Sequence, residues 1–174
     1  MNHRTMLAAA LLAAATATPA AATEIFGGLY VHDVKTPLNL SGVEDGIDVQ
    51  LGWRGGRIMG TPLQPYLFGT ANTSGETHYA AAGVSAKFGD AIFIRPGIGI
   101  ALHTGSAADH ELRRGDRIAF GSRVLFQPEL GVGARLTERL SVEASWIHMS
   151  HGTLFGGQNP GIDNLGMRLT LDLP

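Results

Sequence analysis

The chain has 174 residues, a formal net charge of −2, 24 glycines and no cysteine, and 44% of its residues are hydrophobic. This length fits a single domain, and the small net charge argues against a nucleic-acid partner. The lack of cysteine excludes a disulfide framework and a thiolate metal site.

The first 22 residues have the pattern of a signal peptide. Arg4 supplies a basic start, residues 6–15 form an apolar segment rich in Ala and Leu, and Ala20-Ala21-Ala22 offers a small-residue cleavage site. A core helix is the alternative interpretation, but this segment has no polar face. We therefore expect an exported mature domain over residues 23–174.

The mature part is dominated by an alternation of apolar with polar or small residues, which is typical of half-exposed β-strands. In the last such stretch, every second residue from Leu165 to Leu173 is apolar. Eight strands are predicted, at about 24–33, 46–54, 63–72, 78–88, 91–103, 121–136, 140–150 and 163–173. Most approach the roughly 9–11 residues that a tilted strand needs to cross a bilayer, and eight is the smallest even number that outer-membrane barrels use.

The faces opposite the apolar ones carry glycines and charges. The charged residues are Asp48, Arg54, Arg95, Glu129, Arg135, Glu143, Arg168 and Asp172. In a small membrane barrel this face points inward, where opposite charges pair, and the apolar face meets lipid. A soluble lipocalin-like barrel or sandwich, with its apolar face inward, is the alternative. Export and the Gly-rich polar face favour the membrane barrel over the soluble fold. The predicted fold class is therefore all-β, with an eight-stranded antiparallel transmembrane β-barrel.

The connections between the predicted strands alternate in length. Short connections fall at 89–90 and 136–139, long ones at 34–45, 104–120 and 151–162, and the 55–62 connection is intermediate. Bacterial barrels keep short turns on the periplasmic side and long loops outside. With both termini in the periplasm, the seventh strand runs outward and the 151–162 loop is extracellular.

Near the end of the chain, several polar residues fall on apolar strand faces. The apolar face of the seventh strand continues into His148 and Ser150, and Asp163 shares the apolar face of the eighth strand with Leu165. Because consecutive strands pair, these three polar side chains are predicted to meet on the lipid-facing wall, near the outer leaflet. Polar groups at such a place cost free energy unless they bond one another.

A mutually bonded Ser–His–Asp set is also the arrangement that activates a serine nucleophile. The imidazole accepts the serine proton, and the carboxylate holds the imidazole in the right tautomer and stabilises its charged form. A His-x-Ser motif alone is weak, and a polar strand end that dips into the headgroup region is the alternative interpretation.

Three segments resemble the PagL family of outer-membrane lipid A 3-O-deacylases: HMSHG (148–152), NPGID (159–163) and, more weakly, FQPELGVG (126–133). The resemblance implies an eight-stranded barrel with an active site that faces lipid. It also implies that Ser150 is the nucleophile, His148 the general base and Asp163 the acidic member. The family usually has Glu at that last position, and Asp is one methylene shorter.

The resemblance further implies which residues contact the substrate. Asn159 matches a loop Asn that is linked to oxyanion stabilisation, and Phe126 matches an aromatic beside the catalytic His or the acyl chain. Where the family commonly has Asn after the Ser, this chain has His151, so the backbone N–H groups of His151 and Gly152 are the expected donors. His151 is alternatively a base, a lipid-phosphate contact or an ordinary loop histidine.

No metal site is expected from His148 and His151, because they fall on opposite strand faces, and the resemblance implies no cofactor. A separate loop segment, DHELRRGDR (109–117), carries Arg113, Arg114 and Arg117. These arginines either contact lipid A phosphates or belong to a solvated charge run that is balanced by Asp109, Glu111 and Asp116.

The predicted function is removal of an ester-linked (3-O) acyl chain from lipid A by a Ser-His-Asp mechanism in the bacterial outer membrane. The expected partners are lipid A of lipopolysaccharide in the outer leaflet and the membrane itself; homodimerisation stays open. One alternative is a non-enzymatic structural or adhesive barrel, in which Ser150 and His148 lie beyond hydrogen-bond reach. Another is an outer-membrane phospholipase.

Overall fold

The computed structural model describes residues 24–39, 42–109, 113–114, 117–154, 157 and 159–174, without the side chains of 113 and 114. The expected signal peptide, residues 1–22, lies outside the described residues. Eight long strands occur in the described part: β1 (Glu24–Val31), β2 (Ile47–Arg54), β3 (Leu63–Asn72), β4 (Tyr79–Ala86), β5 (Ile92–His103), β6 (Val124–Arg135), β7 (Leu140–Met149) and β8 (Ile162–Asp172).

The eight strands form one closed antiparallel sheet. Each strand pairs with its neighbours in sequence, and β1 pairs with β8 to complete the cylinder. The short segment Phe88–Gly89 also pairs with β5, and Arg113–Arg114 pairs with Arg117–Ile118 in the β5–β6 loop. The predicted all-β, eight-stranded antiparallel barrel is therefore confirmed. Among the described residues, no helix has the length and apolar character needed to cross a membrane.

Three strands, β1, β4 and β6, are shorter than predicted by two residues or more. Local side-chain bonds explain the end of β1 and the start of β6. β1 ends at Val31 because Asp33 adopts a left-handed backbone with φ of 51°, and its carboxylate accepts the backbone N–H groups of Gly42, Val43 and Glu44. β6 begins at Val124 because the Ser122 hydroxyl bonds both the N–H and the C=O of Val124, which forms a tight turn before the strand.

The outer wall of the barrel is apolar. Along β8, Leu165, Met167 and Leu169 are each about half exposed, whereas Arg168 and Thr170, which alternate with them, are buried. A continuous apolar exterior is unfavourable in water and matches the hydrocarbon of a bilayer, where a closed barrel also satisfies its backbone groups. This arrangement is that of a transmembrane barrel, and a soluble barrel with its apolar face inward does not fit it.

Paired charges fill the barrel interior. The buried Arg168 guanidinium donates to Glu143 at 2.8 Å and to Glu129 at 3.1 Å. Arg54 and Arg95 share Glu24, at 2.5 and 3.1 Å. Burying these ions is tolerable because each lies within ion-pair distance of an opposite charge. Of the predicted interior charges, Arg135 and Asp172 instead lie at strand ends, and Arg135 pairs with Asp90 at the surface.

The β1–β2, β3–β4, β5–β6 and β7–β8 connections lie at one end of the barrel, here called the loop end, which bacterial barrels direct outward. Glu44 joins three of these loops, because it bonds His32 at 3.0 Å and accepts the backbone N–H groups of Thr77 and Ile118 at 3.1 and 3.0 Å. His32 also bonds Asp48 at 2.9 Å. Glu44 therefore links the described parts of these three loops to one another.

The charges of this cluster are set by its bonds. Burial on its own would lower the pKa of His32, but its hydrogen bonds with the Asp48 and Glu44 carboxylates outweigh burial and raise the pKa to about 9. Burial would raise the pKa of Glu44, but the bonds from His32, Thr77 and Ile118 hold it below its usual range. His32 is therefore a cation at neutral pH and pairs with both carboxylates.

Candidate active site

The candidate site lies on the lipid-facing wall, where β7 ends and β8 begins. His148 and Asp163 are directly opposite each other in the β7–β8 pair. Trp146 shares their face, because side chains alternate along a strand. Ser150 directly follows β7, and its backbone N–H and C=O both bond Phe126 of β6, at 3.1 and 2.8 Å. The sheet backbone thus determines where each of these side chains begins.

A continuous hydrogen-bond chain joins Asp163, His148 and Ser150. Asp163 Oδ1 lies 2.9 Å from His148 Nδ1, and His148 Nε2 lies 2.9 Å from Ser150 Oγ. Because a carboxylate only accepts, Nδ1 carries the proton of the first bond and Nε2 accepts the serine hydroxyl in the second. The Asp side chain thus reaches the imidazole although it is shorter than Glu. The non-enzymatic alternative required Ser150 and His148 to lie beyond hydrogen-bond reach, and they do not.

Asp163 is held by two further donors outside this chain. Trp146 Nε1 donates to its Oδ1 at 2.8 Å, and Thr36 Oγ1 donates to its Oδ2 at 2.5 Å. The Asp163 side chain is fully buried, whereas His148 keeps 12% of its side chain exposed. Three donors compensate the carboxylate for the water that it has lost. The Trp146 ring also stacks on His148, with centroids 5.9 Å apart and 25° between the planes.

Three residues of this site did not emerge from the sequence. Trp146 could have been recognised, because it precedes His148 by two residues on the same strand face. Gly161 has a left-handed backbone (φ of 64°), and a Cβ added there would lie 3.2 Å from His148 Cε1, so this glycine gives the imidazole its room. Thr36 comes from the β1–β2 loop, and no local pattern marks it.

The predicted oxyanion and substrate-contact residues differ in their position relative to Ser150. Asn159 Oδ1 accepts the backbone N–H of His151 at 2.9 Å, so that N–H is already engaged by the side chain of the predicted partner. Gly152 is exposed and adopts φ of 59°. Phe126 points outward beside Ser150 and is 37% exposed. The His151 side chain is fully buried, away from the outward face that His148 occupies.

No group of three or more potential metal-ligating side chains occurs in the part of the chain that the structure describes. In the β5–β6 loop, Arg117 bonds Glu76 at 3.4 Å and the carbonyl oxygen of Gly75 at 3.0 Å. Asp109 accepts the backbone N–H of Gly157. The side chains of Arg113 and Arg114, and both Glu111 and Asp116, lie outside the described residues.

This arrangement has a definite chemical capacity. The imidazole of His148 can take the proton of the Ser150 hydroxyl as it attacks a carbonyl carbon, and the buried carboxylate of Asp163 can stabilise the resulting imidazolium. The hydroxyl lies on the outer wall of the barrel, so it meets groups that arrive through the bilayer. The site is therefore suited to an ester within a lipid.

Comparisons with known proteins agree with this fold. The family described as "Lipid A 3-O-deacylase (PagL)" matches residues 45–172, a range that contains His148, Ser150 and Asp163 but leaves out Thr36. No curated protein sequence matches the chain.

Several solved structures share the barrel. The crystal structure of the outer membrane enzyme PagL matches with a TM-score of 0.59 and 23% identity, and covers 88% of this chain and 100% of that chain. Neisserial surface protein A (NspA) matches with a TM-score of 0.56 and 12% identity over 87% of this chain and 97% of that chain. The outer membrane protein Ail of Yersinia pestis matches with a TM-score of 0.51 and 9% identity, and covers 88% of this chain and 100% of that chain. At these identities the likenesses show a common fold.

Proposed function

The chain belongs to the lipid A 3-O-deacylase (PagL) family, and we propose that Ser150, His148 and Asp163 carry out its reaction. It is a bacterial outer-membrane esterase that removes the 3-O-linked acyl chain from lipid A of lipopolysaccharide. The observation that supports the assignment is the hydrogen-bond chain from Asp163 through His148 to Ser150, with both distances at 2.9 Å, on the wall that faces lipid.

In the proposed first step, Ser150 Oγ attacks the carbonyl carbon of the ester while His148 Nε2 takes the hydroxyl proton. The bond between the carbonyl carbon and the sugar oxygen then breaks, and His148 returns the proton to the leaving 3-hydroxyl. The acyl chain stays on Ser150 as an ester. Asp163 holds Nδ1 throughout and stabilises the positive imidazolium, which forms in a place with little water.

In the second step, His148 takes a proton from a water molecule, which attacks the acyl-serine ester. The bond to Ser150 Oγ breaks, the fatty acid leaves, and His148 reprotonates the serine. One water is consumed for each ester cleaved, and the enzyme returns to its starting state.

Two donors are assigned to the oxyanion that forms in each step. Because Asn159 Oδ1 accepts the His151 N–H, the Asn159 amide nitrogen lies on the other side of that side chain. We assign this amide nitrogen and the backbone N–H of Gly152 to the oxyanion, so that the His151 N–H orients Asn159. This assignment revises the sequence-based one, in which the His151 N–H itself was a donor.

The outward position of the site explains how a lipid reaches it. Trp146 lies between Leu130 of β6 and Leu165 of β8 on the outer wall. It is two residues before His148 on β7, farther from the loop end. An acyl chain that lies along this apolar surface need not leave the hydrocarbon, which would cost about 0.8 kcal/mol per CH₂ group. The hydrogen-bond chain from Asp163 to Ser150 is complete within one copy of the chain, so we propose that a single copy is active.

The test uses protein refolded in detergent micelles with purified lipopolysaccharide, followed by mass spectrometry of lipid A. Wild-type protein should remove one acyl chain, and Ser150→Ala should reduce the rate by about 10³-fold or more. Ser74→Ala, an exposed serine in the β3–β4 turn, is the matched control and should behave as wild type. Full activity of Ser150→Ala would overturn the assignment. Phospholipid vesicles assayed in parallel separate deacylation of lipid A from phospholipase activity.

A further inference from the structure

The β1–β2 loop reaches over the start of β8, next to the candidate site. This placement follows from the closure of the barrel, because β1 and β8 are neighbours. Val34 N–H donates to the backbone carbonyl of Asp163 at 2.7 Å, and Asp33 N–H donates to the side chain of Asn164 at 2.9 Å. The loop is therefore bonded to the strand end that carries the acidic residue.

Within this loop, the Thr36 hydroxyl has a defined direction. Its oxygen accepts the backbone N–H of Leu38 at 3.0 Å. Its hydrogen is directed at Asp163 Oδ2, 2.5 Å away. The other carboxylate oxygen, Oδ1, receives both His148 and Trp146. The two oxygens of Asp163 are thus held from different parts of the fold, Oδ1 from β7 and Oδ2 from the β1–β2 loop.

We propose that Thr36 is a positioning residue for the deacylation reaction and acts through Asp163. The inference rests on the proposed function of Ser150, His148 and Asp163. The terminal carboxylate torsion of Asp is soft, and the Thr36 bond to Oδ2 restrains it, so that Oδ1 stays directed at His148 Nδ1. Small errors in the orientation of a catalytic group cost rate even when binding is intact.

Bonds inside the loop also hold the backbone around Thr36. Asp33 Oδ2 accepts the backbone N–H groups of Gly42, Val43 and Glu44 at 2.9, 2.6 and 3.0 Å, which closes the loop on itself. Asn39 also donates to the carbonyl of Val34 at 2.9 Å. A hydroxyl that is presented by a loop with its own internal bonds loses little freedom when it bonds the carboxylate, as a positioning role requires.

Two substitutions separate the hydroxyl from the rest of the side chain. Thr36→Val keeps the shape and removes the donor, whereas Thr36→Ser keeps the donor. Thr73→Val is the matched control, because the Thr73 hydroxyl likewise accepts a backbone N–H, that of Ile47 at 3.0 Å, at the same end of the barrel. Each variant is refolded, checked for folding by heat-dependent migration in gels, and assayed for kcat and KM on lipid A in mixed micelles.

We expect Thr36→Val to lower kcat about tenfold with KM changed less than about twofold, as loss of one hydrogen bond to a charged group implies. Thr36→Ser should restore kcat to within about threefold of wild type, and Thr73→Val should match wild type. Equal loss of kcat in Thr36→Val and Thr36→Ser, an effect confined to KM, or full activity of Thr36→Val would each overturn the inference.

Ser150→Ala is assayed alongside. If it is inactive while Thr36→Val is fully active, the Thr36 inference alone fails; if Ser150→Ala is active, the proposed function itself fails.

Discussion

Asp163 faces His148 directly across the β7–β8 pair, and its carboxylate lies 2.9 Å from the Nδ1 of that imidazole. Asp163→Asn keeps the size of the side chain and removes its charge, so it can no longer stabilise the imidazolium that forms during acyl transfer. We expect kcat/KM on lipid A to fall by about 10³-fold or more, with barrel assembly retained. Activity within tenfold of wild type would show that the carboxylate does not assist His148.

Trp146 donates to the same carboxylate oxygen that bonds His148, at 2.8 Å, and its ring also stacks on the imidazole. Trp146→Phe removes the N–H and keeps most of the stacked ring. We expect kcat to fall by about three- to tenfold, because one hydrogen bond to a buried charge is lost. Trp53→Phe is the control, since the chain has two tryptophans and Trp53 lies exposed on β2. Equal activity of both variants would count against a role for the indole N–H.

Gly161 leaves room for the imidazole of His148. An added Cβ would lie 3.2 Å from His148 Cε1, and the backbone there has φ of 64°. Gly75 in the β3–β4 turn has a similar φ of 76°, but an added Cβ would meet nothing within 4 Å. Both alanine variants should lose about 1 kcal/mol of stability from backbone strain. Gly161→Ala alone should also lower kcat, by about tenfold or more. An equal fall of kcat in Gly75→Ala would show that backbone strain, and not contact with His148, causes the fall in Gly161→Ala.

The fold could be predicted because the bilayer imposes a strict pattern on each strand. Alternation from Leu165 onward gave the orientation of β8, and the structure has Leu165 outward and Arg168 inward as predicted. The turns at Asp33 and Ser122 make β1 end earlier and β6 begin later than alternation alone predicts. They depend on hydrogen bonds from the backbone N–H groups of Gly42 and Val124 to these two side chains, which an alternation pattern does not contain.

In the candidate site, the residues on or next to the strands could be predicted from the sequence, whereas the loop residue Thr36 could not. His148, Ser150 and Asp163 were predicted to share the outer wall because a period of two fixes the face of every residue in a strand, and pairing of β7 with β8 brings them together. Thr36 contacts Asp163 across 127 positions of sequence. That contact depends on the closure of β1 against β8 and on the shape of the β1–β2 loop, which the residues around Thr36 do not specify.

Arg168 neutralises two carboxylates in the barrel interior. Arg168→Met keeps much of the side-chain volume and leaves Glu129 and Glu143 without this partner. The side chains of both glutamates are at most 2% exposed. We expect the free energy of unfolding in micelles to fall by about 3–5 kcal/mol. The exposed Arg57→Met is the control and should change it by less than about 0.5 kcal/mol. Replacing Glu129 alone by Gln in the Arg168→Met background keeps Glu143 beside Arg95 and restores the balance of interior charges, so it should recover much of the loss; failure to do so would point to packing.

His32 makes the stability of the loop end depend on pH. Its pKa is about 9 in the folded barrel against an ordinary value of 6.5, because the Asp48 and Glu44 carboxylates face it. A group whose pKa is raised by folding contributes fully below 6.5 and loses its contribution as pH rises through about 9. The difference corresponds to roughly 3 kcal/mol. Urea unfolding of wild type and His32→Gln, followed by tryptophan fluorescence at pH 6, 8 and 10, measures it. Wild type should lose roughly 3 kcal/mol more than His32→Gln between pH 6 and 10, whereas parallel pH profiles would show that folding does not raise the pKa of His32.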